Sequence, residues 1–99
     1  MMCAADIIAA LHPHVPDLRQ AGVRHLSLFG SVARGDTTSG SDIDIAAEFD
    51  PATKPDLFRL SRVQRQLSAI LGQPVDLLPE PVARPALRQA LERDRVRVF

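Results

Sequence analysis

The sequence contains one cysteine, Cys3, and one lysine, Lys54. A lone cysteine excludes any intramolecular disulfide. No apolar run approaches the roughly 20 residues that carry a helix across a bilayer. Met1 to Asp6 has no basic region ahead of its apolar stretch, and Asp6 interrupts that stretch, which argues against a signal peptide. These absences predict a cytoplasmic protein with no membrane partner. Internal repeats, low-complexity tracts and a G-x-x-x-x-G-K-[ST] phosphate loop are also missing. The formal net charge is zero at pH 7. Duplex-binding surfaces carry a basic excess, so direct nucleic-acid binding is not expected.

What is present suits one folded unit. The 99 residues are 45% hydrophobic, enough for a modest core in a single domain over 1–99, with no room for a second, substrate-binding domain. The zero net charge hides an uneven distribution. Asp36, Asp42, Asp44, Glu48 and Asp50 share one segment without a Lys or Arg, whereas Arg84, Arg88, Arg93, Arg95 and Arg97 crowd the C-terminus. Clustered carboxylates repel one another unless something positive sits between them, so the acidic segment calls for a partner.

Periodicity places the elements. Ala4 to Leu11 is apolar at helical spacing and ends near His12-Pro13; Val15 to Ala21 resumes as a short helix stopped by Gly22. His25 to Phe29 alternates as a strand, and Val32 to Gly35 forms a helical turn. Ile43 to Phe49 is a second strand. A helix starts around Thr53 and Asp56, packs Leu57, Leu60, Val63, Leu67 and Ile70 into the core, and ends at Gly72. Val75 to Leu78 is a short strand, Ala83 to Leu91 a helix, and Arg95 to Phe99 an edge strand. The expected fold is α/β (α+β), a small mixed sheet flanked by helices.

The chemistry concentrates in two short segments. Along a strand, residues two apart face the same side, so Asp42 and Asp44 project together while Ile43 and Ile45 face the core. Paired carboxylates make a hard, oxygen-only site suited to Mg²⁺, which takes one or two of them plus phosphate oxygens. Asp76, set among apolar neighbours in its strand, is costly there without a partner. If its strand lies beside the Asp42/Asp44 strand, the three carboxylates form a cluster able to hold two metals. Gly30-Ser31 follows a strand and opens a helical turn, where backbone N–H groups, the helix dipole and the Ser31 hydroxyl favour phosphate. Phosphate binding beside paired metals fits in-line substitution at phosphorus.

Gly30-Ser31, ten residues, then Asp42-Ile43-Asp44 resembles the signature of the DNA polymerase β-like nucleotidyltransferases. The fuller string Phe29-Gly30-Ser31-Val32-Ala33-Arg34-Gly35 with Ser41-Asp42 is similar to the minimal nucleotidyltransferase branch, encoded beside HEPN-domain partners and often serving as the antitoxin of a toxin–antitoxin pair. The match is tight over Leu26 to Phe49 and loose over Val75 to Leu78. The resemblance implies that Asp42, Asp44 and Asp76 are the catalytic metal ligands, with Asp76 the general base. Gly30 and Ser31 would hold the triphosphate, with Arg34 nearby. It further implies AMP transfer from ATP, with Mg²⁺, to a hydroxyl of a HEPN toxin, most plausibly a tyrosine. One departure stands out: Ala46-Ala47, where larger β-formers are expected, should shorten or soften the strand.

Two rival functions share these residues. One is an antitoxin that neutralises its partner by binding alone; the other is the catalytic subunit of a two-chain transferase acting on a small molecule or an RNA end. Elsewhere, simpler roles suffice. His12 and His14 read as a solvated helix end, His25 as a surface residue and the C-terminal arginines as a solvated face. Arg34 could equally pair with Asp36 or with a motif carboxylate.

Overall fold

Four strands form one mixed sheet in the order β3-β2-β1-β4. The computed structural model describes residues 3–35, 42–52 and 56–99; Asp36, Ser41 and Thr53 therefore lie outside the described residues. The elements are α1 (Ala4–Leu11), a 3₁₀ turn (His12–His14), α2 (Val15–Gln20), β1 (Val23–Phe29), α3 (Ser31–Arg34), β2 (Ile43–Phe49), α4 (Leu57–Leu71), β3 (Val75–Pro79), α5 (Pro85–Asp94) and β4 (Val96–Arg97). The expected α/β order, including the last edge strand, is present. β1 pairs antiparallel with β2 and β4, and β2 pairs parallel with β3.

The alternation along β2 divides the sheet into two faces. Ile43, Ile45, Ala47 and Phe49 join Leu26 and Leu28 of β1 and Val75 and Leu77 of β3 in the main core. That core is completed by Ile7 and Leu11 of α1 and by Val63, Leu67 and Leu71 of α4. Complete burial of each large aliphatic chain contributes roughly 1.5–3 kcal/mol, so this layer supplies most of the driving force. The opposite face carries Phe29 and Ala46, which pack against Val82 and Leu91 with Leu87 and Ala90 of α5 around them. The result is a sheet between α1/α4 and α5.

Helix α4 shows how local chemistry sets the boundaries. The Asp56 carboxylate accepts from the Arg59 N–H at 2.8 Å, capping the first turn. Gly72 closes the last turn at φ 66°, a left-handed conformation that suits glycine. Leu57 departs from the expected core stripe: it is 80% exposed, and its neighbour Phe58 is 86% exposed.

Ala46 and Ala47 also behave differently from expectation. Both are fully buried within an uninterrupted seven-residue strand. Ala46 lies between Ser27 and Leu78 in register and beneath α5. A small side chain there lets the helix layer approach the sheet, and the strand is neither shortened nor broken. β1 begins at Val23 rather than His25, with a register shift between those residues. His25 is half-buried rather than superficial, and its Nδ1 donates to the Phe99 main-chain oxygen at 3.3 Å.

Candidate active site

The parallel register sets Asp44 of β2 directly beside Asp76 of β3, and the antiparallel register sets it beside Phe29, the last residue of β1. Phe29 leads into Gly30, so the turn after β1 passes over the Asp44 carboxylate. Gly30 has φ 71° and ψ −149°, a region essentially reserved for glycine. A Cβ at this position would also overlap Oδ2 of Asp44. The backbone conformation therefore demands glycine, and a Cβ would in addition force the Asp44 carboxylate to shift, because the main chain approaches it closely.

Asp42 immediately precedes β2 and is exposed; Asp76 is exposed on the edge strand, and Asp44 is partly buried between them. This arrangement raises the Asp44 carboxyl above its ordinary pKa. Burial is the first cause, followed by repulsion from Asp76 and then Asp42, with Arg34 opposing the shift. Asp76 and Asp42 thus both act electrostatically on Asp44, with burial the larger cause of its shift. A bound cation would reverse that shift.

The donor set fits a hard divalent cation, because it is all oxygen, partly desolvated and open to solvent on the Asp42 and Asp76 sides. Among the described residues, no group of three or more His, Cys, Asp or Glu side chains is placed to hold a metal ion, so Asp44 and Asp76 lie side by side but the three aspartates are not gathered into the expected cluster. Mg²⁺ needs only one or two protein carboxylates, because water and substrate oxygens complete its shell.

Ser31 opens α3 directly after Gly30. That helix has only four residues, too short for the helix dipole expected there to matter, which leaves the Gly30 backbone and the Ser31 hydroxyl as the polar groups of the turn. Arg34, on the last turn of α3, is near enough to act on Asp44. Arg34 Nη1 donates to Asp94 of α5 at 2.8 Å, and the expected pair with Asp36 lies outside the described residues. Sequence reasoning missed Asp94, which sits 60 residues away at the end of another helix. The C-terminal arginines Arg84, Arg88, Arg93, Arg95 and Arg97 are all exposed, as expected of a solvated face, and three of them also make side-chain contacts. Arg88 donates to the Val82 carbonyl at 3.1 Å, and Arg95 bonds both Glu80 and the buried Ser27 hydroxyl.

The class of protein that this fold and site suit is the nucleotidyltransferase domain. The chain belongs to that family, whose pattern matches residues 14–98. It is 31% identical to the protein adenylyltransferase MntA of Thermococcus cleftensis, over 99% of this chain and 98% of that protein. A relative from Methanocaldococcus jannaschii is 38% identical over 99% of this chain and all of its own length. Among solved structures, a toxin–antitoxin crystallised with AMP-PNP superposes with a TM-score of 0.68 at 27% identity, covering 94% of this chain and 69% of that one.

Proposed function

We propose that this protein transfers AMP from ATP to a hydroxyl on a partner protein, using Mg²⁺, and that the partner is a HEPN-domain toxin neutralised by the modification. The observation that carries this reading is the Asp44 carboxylate, seated against the Gly30 backbone and in register with Asp76. Such a juxtaposition brings a metal-binding carboxylate and a phosphate-approachable main chain into one small space. The nucleotidyltransferase family supplies the reaction class. The MntA relative carries the name protein adenylyltransferase, and the similar toxin–antitoxin structure contains an ATP analogue.

Asp42, Asp44 and Asp76 would hold two Mg²⁺ ions. When bound, the ions supply positive charge to the phosphates and lower the pKa of the attacking hydroxyl. The Gly30 turn admits the triphosphate close to the main chain, the Ser31 hydroxyl donates to a phosphate oxygen, and Arg34 adds positive charge beside it. Asp76 is the proposed base: its exposed carboxylate accepts the proton of the acceptor hydroxyl, proposed to be a tyrosine's. The hydroxyl oxygen then bonds to the α-phosphorus as the bond to the bridging pyrophosphate oxygen breaks. AMP remains on the acceptor as a phosphodiester, and pyrophosphate departs. A cytoplasmic site of action is part of the same proposal; no described helix is long and apolar enough to cross a membrane.

Labelled ATP tests the reaction type. With purified partner and Mg²⁺, label at the α-phosphate should move to the partner protein, and label at the γ-phosphate should leave as pyrophosphate. Incorporation of γ-label would show phosphoryl rather than nucleotidyl transfer. Labelling of a small hydroxyl compound or an RNA end, but of no protein, would establish the two-chain transferase reading instead.

A further inference from the structure

β3 stands at the end of the sheet order β3-β2-β1-β4, so only its β2 side joins the ladder. It begins at Val75 and carries Asp76 as its second residue. The tie to β2 at this point runs through Pro74, whose carbonyl accepts from the Ile43 N–H at 3.1 Å. The Val75 N–H is directed to α4 instead and donates to Ser68 Oγ at 3.2 Å. Val75 is buried, and a buried N–H needs an acceptor. Ser68 supplies one from within a helix, where serine is a weaker helix former than alanine. Its main-chain carbonyl also accepts from the Gly72 N–H at 2.8 Å, closing α4. One residue therefore holds both ends of the short connection 72–74.

We infer that Ser68 is a positioning residue for Asp76: its hydroxyl fixes where β3 begins and so helps to set the Asp76 carboxylate beside Asp44. The inference rests on the adenylyltransferase reading of the site, in which Asp76 is a metal ligand and the base. Asp76 is exposed, whereas Val75 and Leu77 on either side of it are buried. The place of its carboxylate is therefore set by the backbone that carries it rather than by packing of its own side chain. That backbone is anchored from two directions just ahead of Asp76, by Ile43 of β2 acting on Pro74 and by Ser68 of α4 acting on Val75. Loss of the Ser68 hydroxyl leaves the first anchor in place. The strand still pairs with β2, but its first residue is released from α4. Misplacement of a reacting group by about 1 Å can cost on the order of a hundredfold in rate, so a modest release at Val75 matters at Asp76.

Amide hydrogen exchange and a double-mutant cycle on Mg–ATP binding, both measured without acceptor, test the assignment. Ser68→Ala should speed exchange at Val75 and Asp76 about tenfold more than at Ile45 of β2, which marks a local release rather than global unfolding. It should raise the Mg–ATP dissociation constant about fivefold in the wild-type background and less than about twofold in an Asp76→Asn background, because a residue that acts through another is non-additive with it. Ser68→Thr keeps the hydroxyl and should bring both readings back to within about twofold of wild type. Equal factors in both backgrounds, equal exchange changes at Val75 and Ile45, or no rescue by threonine would overturn the inference. Should Ser68→Ala fail to fold, Ser68→Cys, whose sulfur is only a weak acceptor, carries the same comparison. If the wild-type protein binds no Mg–ATP, the adenylyltransferase reading falls and takes this inference with it. If the wild type binds and transfers while the cycle is additive, only the role of Ser68 falls.

Discussion

Asp44→Asn keeps the size of the side chain and deletes a charge that the fold holds at a disadvantage. Burial first, then Asp76 and Asp42, raise the Asp44 carboxyl above its ordinary pKa. An acid whose folded pKa is raised is less favourably ionised in the native state than in the unfolded chain. The resulting penalty is fully present above the folded pKa and disappears as pH falls below the unfolded value. Removing the charge should therefore stabilise the metal-free protein at neutral pH. For a carboxylate that is only partly buried, solvent screening limits the relief to about 1 kcal/mol or less. For a domain near a hundred residues, about 1 kcal/mol moves Tm by roughly 4 °C. Thermal denaturation in a chelator at pH 7.5 should show Asp44→Asn melting higher than wild type, with the difference vanishing at low pH. Adding Mg²⁺ and ATP should invert the order, because a ligand at a hundred times its Kd stabilises only the competent protein, by about 2.7 kcal/mol. A mutant that melts below wild type in chelator, or a gap that widens as pH falls, would refute the electrostatic reasoning.

Other positions give separate tests. Gly30→Ala forces an alanine to adopt φ 71° and drives its Cβ into the Asp44 carboxylate; a loss of about 1–3 kcal/mol in denaturant unfolding and loss of the Mg–ATP response are expected. Ser31→Ala removes one hydroxyl donor, so transfer should slow by roughly tenfold while the melting temperature barely moves, a split readable by steady-state kinetics beside a thermal melt. Leu57→Ser and Phe58→Ser alter side chains that are 80% and 86% exposed; each should leave unfolding free energy within about 0.5 kcal/mol of wild type.

The sequence was most legible where one residue type could satisfy two demands at once. Apolar alternation along Ile43 to Phe49 located β2, and the same period put Asp42 and Asp44 on the face opposite the main core. The lone aspartate within Val75 to Leu78 pointed to a neighbouring carboxylate, and the parallel register brings Asp76 beside Asp44. Gly30 was readable as a close-approach position, although only the fold reveals that the approaching group is Asp44. What escaped depends on contacts between distant elements. Helical spacing cannot tell that Leu57 stays exposed, or that Ala46 packs against Val82 and Leu91. Nor does any local pattern link Arg34 to Asp94, because that contact exists only after α5 has docked across the sheet. Ser27 belongs to the same class: its buried hydroxyl is satisfied by Arg95 Nη1 at 3.0 Å from the opposite end of the chain.

Intact-protein mass spectrometry of a HEPN partner, incubated with this protein, ATP and Mg²⁺, tests the central claim most directly. The chemistry of α-phosphorus substitution fixes the gain at about 329 Da per transferred AMP. Asp76→Asn removes the proposed base and a proposed metal ligand without altering side-chain size, so the variant should still bind the partner but add no mass and fail to neutralise it. Wild type that modifies its partner, beside a variant that binds without modifying or neutralising, is the predicted result. An Asp76→Asn variant that neutralises the partner fully with no added mass would contradict the account and show that binding alone is the function.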